Sequence, residues 1–362
     1  MIECTNCHLP YPQDSLPYRC PRCSGIFDFT APPPFDRQQV DPSSPGMWRY
    51  RHTFDLPDQA PVVTLGEGDT PLVWAEAFQR QVAFKLENLN PTGSFKDRGS
   101  AVVLSLLKAR GVTSAVEDSS GNAGASFAAY AARASIHARV FVPDSASGPK
   151  RRQIEAYGAE LVRVMGPRSN AAEAVMRAAD AGQVYASHAF LPMGMAGYAT
   201  IAYELFEQMG RAPAAVITPV GQGGLLLGLE RGFRALQQAG MIESMPRLVG
   251  VQARACAPLW AVYQYGTAGL SWTTEGETLA EGVRVLQPAR GDSVLRAVSE
   301  SDGLLTVVDE EDILPGRDEL ARRGLYVEPT SALVWQALKD TLSQLPDPVA
   351  VILTGSGLKH AG

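Results

Sequence analysis

From about residue 61 onward, apolar runs of strand length alternate with Ala-rich segments of helical period. Few architectures accept that rhythm. VAFKLE at 82–87 reads as a strand and 97–110 as a helix; AVED at 115–118 and the helix 123–134 repeat the pair. ARVFV at 138–142, a helix at 148–157, AELVRV at 159–164, a helix at 170–181 and QVYA at 183–186 continue it. AAVITPV at 214–220 precedes a helix at 225–238, and RLVGVQ, LLTVV and PVAVILT (348–354) are further strands. This succession predicts βαβ units and a mostly parallel sheet, because parallel neighbours need a crossover that a helix supplies. A chain of 362 residues suffices for two ordinary domains, or for one large α/β unit with an appendage. At that size about three quarters of the unfolded surface is buried, so the core needs no staples.

The first 60 residues break the rhythm. Four of the five cysteines lie there, as Cys4-x-x-Cys7, twelve intervening residues, then Cys20-x-x-Cys23. Paired knuckles of this kind set four thiolates at the corners of a tetrahedron, the geometry that zinc prefers. A pair of disulfides, or unrelated thiols, is the competing reading, and disulfides are rare in a cytosolic chain. Four protein ligands leave no open position, so the metal would be structural. Residues 1–30 therefore read as a zinc ribbon, with His8 a bystander. Residues 31–60, with Pro32, Pro33, Pro34, Pro42 and Pro45, read as an extended linker or arm, and 61–362 as the α/β body. Cys256 reads as a small buried hydrophobe.

Charge and hydropathy exclude several classes. The net charge of −6 and pI near 5.5 argue against a nucleic-acid binder, which would present a basic face. No apolar run reaches the roughly 18–20 residues of a membrane span. The N-terminus lacks a basic stretch followed by an apolar core, so a cytoplasmic protein is expected. Amines are scarce: Lys85, Lys96, Lys108, Lys150, Lys339 and Lys359 are the six lysines, and arginine supplies the other basic groups. A guanidinium is a poor carbonyl nucleophile, so amine chemistry has few candidates.

Three glycine-containing loops precede helices. Gly221-Gln222-Gly223-Gly224 follows a strand, where free N–H groups and the helix dipole suit a phosphate. A plain tight turn is the alternative; a dinucleotide fingerprint is not, because the sixth position is Leu226. Ser119-Ser120-Gly121-Asn122-Ala123 offers a nest for a small anion such as a carboxylate, or simply a helix cap. Gly93-Ser94-Phe95-Lys96 places a lysine at a helix start, where the dipole and Arg98 would lower its pKa and favour Schiff-base chemistry. A solvated terminal lysine is the bland reading. One phosphate loop, one carboxylate loop and one activated lysine are together what pyridoxal phosphate (PLP) and an amino acid require.

On these residues the chain resembles the fold-type II PLP enzymes, most closely the threonine synthases. Gly93-Ser94-Phe95-Lys96-Asp97-Arg98-Gly99 is similar to the family's Schiff-base segment, Ser119-Ser120-Gly121-Asn122 to its Asn loop, and Gly221-Gln222-Gly223-Gly224 to its phosphate loop. Leu353-Thr354-Gly355-Ser356-Gly357 is similar to its last strand and turn. Leu65-Gly66-Glu67-Gly68-Asp69-Thr70-Pro71-Leu72 and Val327-Glu328-Pro329-Thr330 also match, so the likeness runs from about 62 to 360. The resemblance implies a two-subdomain, tryptophan-synthase-β-like α/β architecture with mostly parallel sheets for a catalytic domain at 61–362, its smaller subdomain at roughly 112–190, carrying an N-terminal zinc ribbon as some members do. It implies that Lys96 holds PLP and serves as general base. It implies that Asn122 bonds the cofactor's 3′-oxygen, that Gly221 to Gly224 hold its phosphate, and that Thr354 faces its ring nitrogen. It assigns the substrate carboxylate to Ser119, Ser120, Gly121 and Ala123, and suggests a homodimer. A hydroxyl at Thr354 need not protonate the ring, which suits elimination and replacement.

Two departures bear on the substrate. Where threonine synthases clamp the phosphate of O-phosphohomoserine, residues 187–200 (SHAFLPMGMAGYAT) offer no Lys, Arg or Asn. Near Ala280-Glu281-Gly282-Val283-Arg284-Val285, a carboxylate at Glu281 would repel a phosphate. The leading expectation is a threonine synthase-like carbon–oxygen lyase that forms threonine. The second is a serine/threonine ammonia-lyase or a cysteine synthase-like β-replacement enzyme acting on an unphosphorylated amino acid. A third, a ribbon interaction protein with an inert body, is disfavoured by the intact Lys96. If the substrate is a phosphate ester, Arg284 and the cluster Lys150, Arg151 and Arg152 are the candidate cations, although that cluster also suits a solvated helix face.

Overall fold

The structure, a computed structural model, describes residues 1–31, 33–144, 148–166 and 168–359. Pro32 and the side chain of Lys150 lie outside the described residues. Strands β1 (Ile2–Cys4) and β2 (Phe27–Phe29) pair antiparallel at the N-terminus. A hairpin of β3 (Leu72–Ala77) and β4 (Arg80–Lys85) turns through Phe78 and Gln79, both at positive φ, as a tight two-residue turn demands. Next come α1 (Lys96–Ala109), β5 (Ser114–Glu117), α2 (Asn122–Ala134), β6 (His137–Pro143), α3 (Pro149–Ala156), β7 (Glu160–Val164), α4 (Arg168–Asp180) and β8 (Val184–Tyr185). The chain continues with α5 (Gly194–Met209), β9 (Ala215–Pro219), α6 (Gly224–Gln238), β10 (Arg247–Ala253), α7 (Pro258–Tyr265) and α8 (Gly291–Glu300). It ends with β11 (Leu304–Val308), α9 (Glu310–Ala321), α10 (Pro329–Thr341) and β12 (Val349–Ile352).

These elements form two compact units. The first comprises Met1–Gly68 and Asn90–Gly197. Among its described residues, a wholly parallel sheet runs in the order β7-β6-β5-β8. Val116, Phe141, Val175 and Tyr185 form a core against it, with Tyr18 and Phe190 packed on its margin. Helix α2 is buried almost all round, which its alanines permit, and Ser126 bonds Ser100 of α1 at 2.7 Å. Residues 31–60 are anchored rather than extended throughout: a 3₁₀ stretch at Gly46–Thr53 buries Met47, Trp48 and Tyr50.

The second unit comprises Asp69–Leu89 and Tyr198–Lys359. Its sheet runs β11-β10-β9-β12-β4-β3, parallel except for the edge strand β3. Every residue of the interior strand β12 is fully buried, as a parallel strand covered on both faces must be. Edge strand β3 is half exposed, with Val73, Trp74 and Glu76 open to solvent. No helix among the described residues is long and apolar enough to cross a membrane.

This second unit buries one ion pair completely. Lys85 Nζ lies 2.6 Å from Glu204 Oε2, with neither side chain exposed, and donates also to the Thr70 carbonyl at 2.7 Å and to Gln208 Oε1 at 2.9 Å. Breaking such a pair from one side leaves an uncompensated charge in the interior. Lys85→Met is expected to cost about 3–5 kcal/mol of stability in urea titration. The double variant Lys85→Met/Glu204→Leu should recover a large part of that loss.

Candidate active site

The loop before α1 is folded by its own side chains. Gly93 has φ +84° and its N–H donates to the Asn90 carbonyl at 2.7 Å. The buried Asp97 carboxylate accepts from Thr92 N and Thr92 Oγ1, each at 2.6 Å, tying the loop to the helix it precedes. Asn90 Oδ1 accepts from Gly68 N at 3.0 Å. Lys96 is the first residue of α1, as the motif predicted, and its Nζ stands 4.8 Å from the Phe95 ring centroid. Two residues earlier, Ser94 is fully buried, and its Oγ has no hydrogen-bond partner among the described residues.

In the same unit, the segment after β5 makes the second loop. Gly121 N donates to Ser119 Oγ at 3.2 Å, and α2 starts at Asn122. A Cβ on Gly124 would lie 1.7 Å from the Ser119 carbonyl oxygen, so only glycine lets the helix meet the loop this closely. Ser119 and Ala123 are buried, whereas Ser120, Gly121 and Asn122 remain partly accessible. The amides of the first turn of α2 have no intrahelical partner and suit an anion.

Glu117 and Asp118, directly before this loop, were not singled out from the sequence. Glu117 ends β5 and Asp118 follows it; two acidic residues closing the apolar run Ala115-Val116 are the sequence signal of this pair. Glu117 is fully buried; its Oε1 lies 2.6 Å from His188 Nδ1, and its Oε2 has no partner among the described residues. Asp118 Oδ1 accepts from Tyr185 Oη at 2.6 Å. Burial, and then the charge of Asp118, lift the Glu117 carboxyl well above the usual carboxylate range. Burial, and then the charges of Lys96 and Arg168, hold the His188 imidazole well below its ordinary value.

The second unit carries the third loop. Gly223 caps α6 at φ +88°, in the left-handed region that favours glycine, and a Cβ there would lie 2.2 Å from Val294 Cγ2. The backbone of Gly221, Gln222, Gly223 and Gly224 thus meets a helix start stripped of side chains, apart from Gln222, whose Oε1 accepts from Ala289 N at 3.0 Å. Thr354 sits two residues past β12, with its N–H on Ser331 Oγ at 2.9 Å. Its own Oγ1 is buried and has no partner among the described residues. Glu281 is exposed, and Arg284 is tied to Glu275 by its carbonyl at 3.1 Å and its carboxylate at 3.9 Å.

At the N-terminus, Cys4, Cys7, Cys20 and Cys23 place their sulfurs within 4.8 Å of one another. Cys4 and Cys23 are 3.4 Å apart and Cys7 and Cys20 3.6 Å, too far for disulfides. Tetrahedral bonds of about 2.3 Å would hold the sulfurs about 3.8 Å apart, close to this spacing. Desolvation pushes the Cys20 thiol up, but the amides of Arg22 and Cys23 and the thiols of Cys7 and Cys4 bring it down to about 7. His8 stays outside the cluster and bonds Glu3 at 2.8 Å, and Cys256 is buried.

The family model for pyridoxal-phosphate dependent enzymes matches residues 63–355. The chain is 31% identical to a threonine synthase of Methanocaldococcus jannaschii, over 99% of this chain and 92% of that protein. It is 35% identical to a threonine synthase of Synechocystis, over 88% of this chain and 85% of that protein. Among solved structures, a threonine deaminase from T.th. superposes with a TM-score of 0.65 at 29% identity, over 79% of this chain and 92% of that one. Maize serine racemase, at 22% identity and a TM-score of 0.67 over 80% of this chain and 88% of that one, shares the fold. The family-model match over residues 63–355, with identities of 31% and 35% along most of the length, places this chain in the pyridoxal-phosphate dependent enzyme family.

Proposed function

We propose that the protein is a threonine synthase-like carbon–oxygen lyase that converts O-phosphohomoserine and water to threonine and phosphate. The observation that carries this reading is the 31% identity to a threonine synthase along 99% of the chain, ribbon included. PLP, bound through Lys96, supplies the electron sink that makes the substrate's Cα–H acidic. Lys96 then holds and moves the Cα proton. Asn122 takes the cofactor's 3′-oxygen, the backbone of Gly221, Gln222, Gly223 and Gly224 its phosphate, and Thr354 its ring nitrogen. The buried Thr354 Oγ1, which lacks a partner among the described residues, fits that last role. Ser119, Ser120, Gly121 and Ala123 take the substrate carboxylate. The four cysteines hold one structural zinc, which their mutual spacing fits. We place the enzyme in the cytoplasm as a homodimer acting on a small amino acid; the net charge of −6 supports no role with nucleic acid.

A second reading keeps these roles and removes the phosphate from the substrate: β-elimination from serine or threonine, or cysteine synthase-like replacement. It is favoured by residues 187–200, which hold no cation, and by Arg284, which is engaged with Glu275. Initial rates on O-phosphohomoserine, O-acetylserine, serine and threonine decide between the two. Threonine and phosphate from O-phosphohomoserine are expected; turnover of the others with that ester ignored would replace the first reading with the second.

Borohydride reduction of the holoenzyme and peptide mapping should place the pyridoxyl label on Lys96. A label on any other lysine overturns the assignment. Metal analysis should find one zinc per chain, retained through turnover and lost when residues 1–30 are deleted. A metal that exchanges rapidly would contradict a closed four-thiolate site.

A further inference from the structure

Glu117 and His188 have no part in the roles assigned so far. Glu117 is the last residue of β5, and His188 follows β8 by three residues. The two strands are parallel neighbours, so both side chains sit at the carboxyl edge of the sheet, where open α/β sheets take their ligands. The substrate loop begins two residues after Glu117. The imidazole keeps 19% of its side-chain surface, while the carboxyl is buried and bonded to Nδ1 at 2.6 Å. No hydrogen bond from Nε2 to a described residue accompanies the one at Nδ1. The charged groups facing the pair are Lys96, Asp118 and Arg168. A buried carboxyl with one unpaired oxygen, bonded to a partly exposed imidazole, is costly for a fold to keep without use.

We propose that Glu117 and His188 form a proton-holding pair that serves the oxygen on the substrate's Cβ, with His188 the catalytic residue and Glu117 its positioning partner. The proposal rests on the reading of the chain as a carbon–oxygen lyase. When oxygen leaves, the Cα proton passes to the Lys96 amine and its electron pair becomes the carbon–carbon double bond. The carbon–oxygen bond breaks with its pair on oxygen. His188 Nε2 gives its proton to that oxygen, and Glu117 passes its own proton to Nδ1, so water departs and the pair is left with one negative charge. Addition of water at Cβ is the same path reversed: Nε2 takes the proton from water, and Nδ1 returns one to Glu117. A phosphate-ester dianion departs as HPO₄²⁻ only if its oxygen gains a proton; Nε2 gives that proton too, which leaves the pair with the one negative charge from which it then takes the proton of water at Cβ. The pair therefore serves water addition in threonine synthesis and hydroxyl loss in the second reading. The elevated Glu117 carboxyl and the depressed His188 imidazole agree with a proton stored on the carboxyl.

The test compares wild-type holoenzyme with His188→Gln, Glu117→Gln and the double variant. Cofactor absorbance and exchange of the substrate's Cα–H in D₂O report Lys96 chemistry alone and should stay within about twofold of wild type. Carbon–oxygen turnover should fall about 10²- to 10⁴-fold in His188→Gln, through kcat. The double variant should be no worse than His188→Gln, because Glu117 acts only through the imidazole. ¹⁵N-histidine NMR of the wild-type holoenzyme should show His188 neutral at pH 7, with its proton on Nε2. Full turnover in His188→Gln, a parallel loss of Cα–H exchange, or an imidazolium in the NMR spectrum would overturn the proposal. A wild type that exchanges Cα–H yet neither makes nor breaks a carbon–oxygen bond on the four substrates would instead overturn the lyase reading, and the pair's role with it.

Discussion

One buried carboxylate organises the unit that carries Lys96. Glu67 is wholly enclosed, and a lone carboxylate there would cost several kcal/mol in lost hydration. It accepts from Trp48 Nε1 at 2.6 Å, Tyr130 Oη at 2.6 Å, Leu65 N at 3.0 Å and Thr64 Oγ1 at 3.2 Å. Those donors come from the arm, from α2 and from its own turn. The next residue, Gly68, donates to Asn90 at the base of the Lys96 loop. Burial, with the charges of Asp97 and Glu67, pushes the Tyr130 phenol far above its ordinary value, so it remains a donor at any working pH. The arm, the helix behind the Ser119 loop and the Lys96 loop are thus referred to one point. The Pro-rich composition of residues 31–60 suggests an extended linker or arm; the bond from Trp48 to Glu67 makes it part of the unit's frame.

Much of this fold is legible because parallel strands buried on both faces leave a continuous apolar run. β6, β9, β10, β11 and β12 stand within a residue or two of where ARVFV, AAVITPV, RLVGVQ, LLTVV and PVAVILT place them. Edge strand β3 does not follow that rule, since it pairs antiparallel and exposes much of one face. Helices α7, α8 and α10 pack on the sheet and α9 on α10, through sequences in which proline interrupts the period: Pro258 and Pro329 start α7 and α10, and Pro315 lies inside α9. The loops holding Lys96, Ser119 and Gly223 are legible for another reason, because glycine is obligatory where a backbone must come close to a neighbour or turn left-handed. The Glu117–His188 pair is not, since 71 residues separate partners that only sheet pairing brings together.

The ribbon belongs to the same frame. A segment this short has too little core to fold without its metal. Yet Tyr18, between the two knuckles, meets Tyr185 and Phe190 edge-on at centroid distances of 5.4 and 5.6 Å, and Arg19 lies 4.8 Å from the Phe190 ring. Tyr18 Oη donates to Asp180, and the Arg110 guanidinium reaches the carbonyls of Pro12 and Ser15. Tyr185 in turn donates to Asp118, one residue before the Ser119 loop. The ribbon thus covers β8 and the segment that begins with His188, and disorder in its knuckles would remove an aromatic wall from beside that segment.

That segment also explains why the usual phosphate clamp has no counterpart here. Leu191, Met193, Met195 and Ala196 are all buried, and α5 begins within the run at Gly194. A lysine or arginine at these positions would carry its charge into an apolar interior, where desolvation costs more than a pairing phosphate could return outside catalysis. The segment has given up cations for packing. The basic group it keeps is His188, placed at its start, where a buried carboxyl fixes the ring and a fifth of the imidazole remains accessible. Discrimination at this edge of the sheet then depends on handling a proton rather than neutralising a dianion. Of the two demands that threonine synthesis makes of a protein, binding the leaving phosphate and activating the incoming water, residues 187–200 are built for the second.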